Sequence, residues 1–148
     1  MLAWDGIEMA LSERPPVGIR FSDPRVPFLQ LVWVHLVLDD RSVIISTYQG
    51  DAWFGLQLSD SDPFGADACS GIYRWRPLDL PTGCVGSVQV VVEEGTLSRV
   101  ALDVGGRDLL LVAGEVYETW TDELEVHRLD ESVLLFTDPA DAEKVRWL

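Results

Sequence analysis

The sequence predicts a mainly β protein: about nine antiparallel strands in a sandwich or partly closed barrel, with one short carboxy-terminal helix. Three features predict it. β-branched and aromatic runs recur along the chain, two-residue turn signals stand at Glu94-Gly95 and Gly105-Gly106, and the strand-like period gives way to a helical one only after Thr137. An α+β arrangement is the alternative. The 148 residues form a single domain, 1–148, and 47% apolar with 24% charged residues is the balance of a folded chain.

The elements follow in order. Residues 1–27 carry Pro15, Pro16, Pro24 and Pro27 and little periodicity, so they read as an irregular lead-in with room for one short strand. Phe28–Leu38 is apolar on both faces over much of its length, as a central strand would be. A turn at Asp39-Asp40-Arg41, a strand from Ser42 to Tyr48, a turn at Gln49-Gly50-Asp51 and a strand from Ala52 to Leu58 complete a first meander. Ser59–Ser70 is an exposed Asp-, Ser- and Gly-rich loop, and a strand runs from Gly71 to Arg76. After Pro77, Pro81 and Gly83, a second meander begins at Ser87–Glu93. Its next strand places Val100, Leu102 and Val104 on one face and Arg99, Ala101 and Asp103 on the other. Arg107–Ala113 and Glu115–Trp120 read as one long strand bent at Gly114, and Leu124–Arg128 and Val133–Thr137 as the last two. Asp138 before Pro139 is a capping acid before a residue suited to the first helical turn, which predicts a helix over Pro139–Val145 with Trp147 and Leu148 tucked against the body.

Composition narrows the function classes. With 11 Lys+Arg against 25 Asp+Glu the formal net charge is −14, which repels phosphate backbones and anionic leaflets, so neither nucleic acid nor membrane is an expected partner. No apolar stretch is long enough for a spanning helix. The amino terminus has an acid, Asp5, where a secretory signal carries basic residues, and the chain reads as cytoplasmic. Cys69 and Cys84 could close a loop, but reduced thiols suit that address better.

No catalytic or cofactor signature emerges. Asp60-Ser61-Asp62-Pro63-Phe64-Gly65 opens like a calcium loop, then places Phe64 at position five and Gly71 at position twelve, where oxygen ligands belong. There is no Gly-x-Ser-x-Gly elbow, no Cys-x-x-Cys pair and no glycine-rich phosphate loop, so no catalytic residue, metal or cofactor is expected. His35 reads as a core or half-buried structural residue and His127 as a surface one. The doublets Asp39-Asp40, Glu93-Glu94, Asp122-Glu123 and Asp130-Glu131 fall at turns, and neighbours on a strand point to opposite faces, so they make no acid/base couple.

Charge distribution is the most informative feature. Residues 1–50, 51–100 and 101–148 carry net charges of −2, −4 and −8. Glu115, Glu118, Asp122, Glu123, Glu125, Asp130 and Glu131 stand close together against Arg128 alone. Such a cluster either solubilises a face or steers a basic protein partner, with Tyr117 and Trp120 as aromatic anchors. The alternative is a β-barrel small-molecule carrier or enzyme whose pocket is lined by Trp33, Trp53 and Trp75. Tyr73 and Trp75 also alternate with Arg74 and Arg76, giving an aromatic and a cationic face.

A compact acidic chain with Gly114-Glu115-Val116-Tyr117 and a closing Leu129-Asp130-Glu131-Ser132-Val133-Leu134-Leu135-Phe136 resembles the small immunity proteins that neutralise polymorphic toxins of bacteria. The resemblance is one of character more than of motif. It implies a stoichiometric inhibitor that occludes a basic toxin domain and has no catalytic residues of its own.

Overall fold

The computed structural model describes residues 3–9, 23–39, 41–60 and 73–148, which form two antiparallel sheets packed face to face. In spatial order the first sheet contains β5 (Phe54–Ser59), β4 (Ser42–Gln49), β3 (Trp33–Val37), β1 (Ala3–Met9) and β6 (Tyr73–Leu78). The second contains β2 (Leu29–Leu31), β11 (Ser132–Phe136), β9 (Arg107–Glu118), β8 (Thr96–Val104) and β7 (Val85–Glu93), with β10 (Leu124–Arg128) paired to the far end of β9. A short helix, α1 (Pro139–Glu143), follows β11. The mainly β, sandwich-like expectation holds, and among the described residues the sheets do not close into a barrel.

Alternation builds the inter-sheet core. Every second residue of β8 from Thr96 to Val104 is buried, and Val100, Leu102 and Val104 meet Trp4, Val34, Leu36, Ile45, Leu56 and Leu78 from the first sheet. A second apolar layer lies on the outer face of the second sheet. There Phe28, Leu110, Val112, Val116, Leu134 and Phe136 are covered by Ala142 of α1 and by Val145 and Trp147 of the tail. The indole of Trp147 donates to the Ala142 carbonyl at 3.0 Å. Leu148 is held differently from expectation: its backbone bonds to Val126 and Arg128 while its side chain stays 47% exposed. The helix starts as expected, with the Asp138 carboxylate accepting from the Ala140 amide, but ends two residues early.

The lead-in holds the one strand it has room for, while the Phe28–Leu38 run needs correction. The lead-in contains a seven-residue internal strand, β1, flanked by β3 and β6. Its periodicity was hidden because an inward position is Gly6, where an added Cβ would lie 3.0 Å from Leu31. The Phe28–Leu38 run is two strands in different sheets, β2 and β3, with the chain crossing at Val32. A run apolar on both faces carries no mark of where it changes sheets, since Leu31 and Val34 are both fully buried in the same core. The described residues thus form eleven strands where about nine are expected.

The long strand β9 is continuous through Gly114, where it changes neighbours: Gly114 stands in register with Ser132 of β11 and with Arg128 of β10. A Cβ at this position would lie 2.8 Å from both the His127 carbonyl oxygen and a Leu134 methyl. Gly114→Ala is expected to cost roughly 1–3 kcal/mol through this overpacking. A urea midpoint matching that of the wild type would contradict the close approach. Just beyond, Leu129 adopts a left-handed backbone conformation, φ 55°, and ties the sheets together: its amide donates to Ala113 and its carbonyl accepts from Phe54.

Candidate functional site

The region that the sequence marks as acidic is built around the hairpin of β9 and β10. Its turn, Thr119–Glu123, is closed by the Thr119 amide donating to the Glu123 carbonyl and the Asp122 amide donating to that of Thr119, with Asp122 at φ 61°. The tip is braced from outside. Arg25 donates through Nη1 to the Asp122 carbonyl (2.8 Å) and through Nη2 to the Glu118 carboxylate (3.1 Å), while Asp23 receives Nε and Nη2. Those hydrogen bonds, first to Asp23 and then to Glu118, raise the Arg25 pKa further above its ordinary value, so the guanidinium stays charged at any working pH. The fixed turn holds Trp120 entirely in solvent, 103% exposed, beside the exposed Asp122 and Glu123.

The other acids are not equivalent. Glu118 is spent on Arg25. Glu125 is exposed on β10 and reaches His127 at 3.3 Å. Tyr117 lies edge-on to His127 and donates its hydroxyl to Asp130 at 2.8 Å; partial burial and that bond raise the phenol pKa. Asp130 also accepts from the Glu131 amide, and Glu131 is exposed. Asp122 and Glu123 thus sit at one end of the five-residue β10 and Asp130 and Glu131 at the other, separated by roughly 17 Å of strand. The expected single face is two acidic turns with Glu125 between them.

Glu115 is a correction of a different kind. It is 2% exposed, on the side of β9 that faces the inter-sheet core, and so belongs to no binding surface. Ser132 donates to its Oε2 at 2.6 Å, while Oε1 has no hydrogen-bond partner among the described residues. Burial pushes its pKa up to about 8; the Ser132 bond opposes this and the nearby Asp130 and Glu131 add to it. Around neutral pH this carboxyl is largely uncharged.

Of the three tryptophans of the alternative pocket, Trp33 and Trp53 stand in different places. Trp33 is buried in β3 (7% exposed), and the register sets Trp33 and Trp75 on either side of Ile7 in the first sheet. Trp53 stands apart in the turn before β5, 37% exposed, with the Arg128 guanidinium 5.8 Å from its ring centre. An open cleft of about 490 Å³ lies there between Tyr48, Asp51, Trp53, Glu94 and Thr96. Under the braced hairpin, between Val26, Phe28, Gln30, Val116 and Leu124, the cavity is only about 20 Å³, room for one water and too little for a small-molecule ligand.

His35 is half-buried in β3 and His127 half-exposed on β10. Among the described residues no three His, Cys, Asp or Glu side chains are grouped to hold a metal, and no helix is long and apolar enough to cross a membrane. Cys84 is an exposed free thiol; Cys69, the calcium-like string beyond Asp60 and the side chains of Tyr73, Arg74 and Trp75 lie outside the described residues. Arg25 is the site residue that sequence reasoning missed. It acts across 97 positions of sequence, and nothing in Asp23-Pro24-Arg25 announces that reach. No protein-family model, curated protein or solved structure matches the chain.

Proposed function

We propose that this chain is a non-catalytic protein-binding domain of the immunity-protein kind, which neutralises a basic partner, such as a toxin domain, by seating it on the Trp120 hairpin. The observation that carries this reading is a wholly exposed tryptophan on a turn held by an arginine brace and flanked by Asp122 and Glu123. A large aromatic left in water raises no stability of the fold, whereas a tryptophan is the commonest kind of anchor at protein interfaces. The brace lowers the ordering cost that a flexible loop would incur on binding. Asp122, Glu123 and Glu125, with Asp130 and Glu131 further along, add a negative field that speeds the approach of a positive surface.

Co-expression with the product of a toxin-like reading frame beside its own gene tests the proposal. The expected outcome is a stable one-to-one complex and relief of toxicity. A toxin that remains free and lethal beside abundant folded chain would refute it.

A further inference from the structure

The strand β7 is exposed at nearly every position, an unusual state for nine residues in a sandwich. Val88, Val90 and Val92 are 57%, 58% and 64% exposed, and Val85 and Val91 also face solvent. The cause lies in the offset between the sheets. The last strand of the first sheet, β5, packs over β8, with Gly55 so close to Thr96 that an added Cβ would lie 2.9 Å away. Beyond β8 the second sheet continues for one more strand, which no other described strand covers. Val88 pairs with Leu102 and Val90 with Val100, both core residues, so these valines prolong the core surface past its lid.

The outer edge of β7 is also open: among the described residues β8 is its only neighbour. Register shifts at Val85/Ser87 and Val91/Val92 bend its ends and leave a regular stretch of Ser87, Val88, Gln89, Val90 and Val91. Residues 80–92 contain no charged side chain, in a protein with 24% charged residues and a net charge of −14. A basic partner gains nothing electrostatically along Ser87–Val91. A second copy, repelled elsewhere by its own charge, meets no carboxylate along that stretch, Glu93 standing at its end.

We infer that β7 is a self-association edge, on which a second copy of this chain adds its own β7 antiparallel about a two-fold axis at Gln89. That register sets Val88 against Val90, Ser87 against Val91 and Gln89 against Gln89, apolar against apolar on the core-side face, with Glu93 opposite Val85. It pairs the edge's free backbone groups and removes both valine rows from water along one side.

The test is the mass of the full chain by sedimentation or light scattering from low micromolar to sub-millimolar concentration. The expected result is a shift from 16.5 kDa toward twice that value, favoured by added salt, because screening weakens the repulsion between like-charged copies. Val88→Lys with Val90→Lys should weaken association at least tenfold while leaving the circular dichroism spectrum unchanged, since both side chains are solvent-exposed. In a Cys84→Ser background, Gln89→Cys should give an oxidised covalent dimer that the parent does not. A mass fixed at one chain throughout, a dimer indifferent to the paired lysines, or no cross-link beyond that of the parent would each overturn the inference. None of these results bears on the Trp120 hairpin, whose partner binding salt should weaken.

Discussion

Replacing Glu115 by Gln is expected to make the protein more stable in mildly alkaline solution and to flatten its stability between about pH 4.5 and 8. The free carboxyl has a pKa of 4.5, and burial in the fold pushes it up to about 8. Below both values the native and unfolded chains both hold the proton, and the group adds no pH dependence. Between them the unfolded chain has released a proton that the native chain retains, so native stability falls as pH rises. Above both, the native state carries a buried charge and the full cost is present, on the order of 5 kcal/mol from the size of the shift. Glutamine keeps a polar partner for Ser132 and cannot ionise. The difference between wild-type and Glu115→Gln unfolding free energies, measured by urea titration at several pH values, should therefore widen across that window. A constant difference would mean that Glu115 titrates as an exposed acid.

The largest effect on binding should come from Trp120→Ala. Because the side chain is entirely exposed, its loss should shift unfolding free energy by no more than about 0.5 kcal/mol. If the hairpin is the anchor, affinity for the partner should fall by about 2 kcal/mol or more, roughly thirtyfold. Calorimetry with the purified partner would read both the loss and its enthalpic origin. Equal affinity for wild type and variant would place the contact elsewhere.

The second meander was legible from sequence because β8 alternates and the turns on either side of it carry glycine at positive φ. β1 and β2 were not, since Gly6 erases an inward position and a doubly apolar run hides a change of sheet. The acidic character of the β9–β10 region was plain, but charge count does not separate a buried acid from an exposed one. A signal did exist for Glu115: counting by twos from Leu109 through Leu111 and Ala113 puts it on the inward face. The Arg25 brace had no such signal, because it arises from a tertiary contact and from no periodicity.

The dependence of partner affinity on ionic strength is the most direct check of the proposed function. Association of the purified chain with its basic partner should weaken by tenfold or more between about 50 mM and about 500 mM salt, chiefly through a slower on-rate. An affinity and on-rate unchanged over that range would show that the acidic turns around Trp120 play no part in recognition.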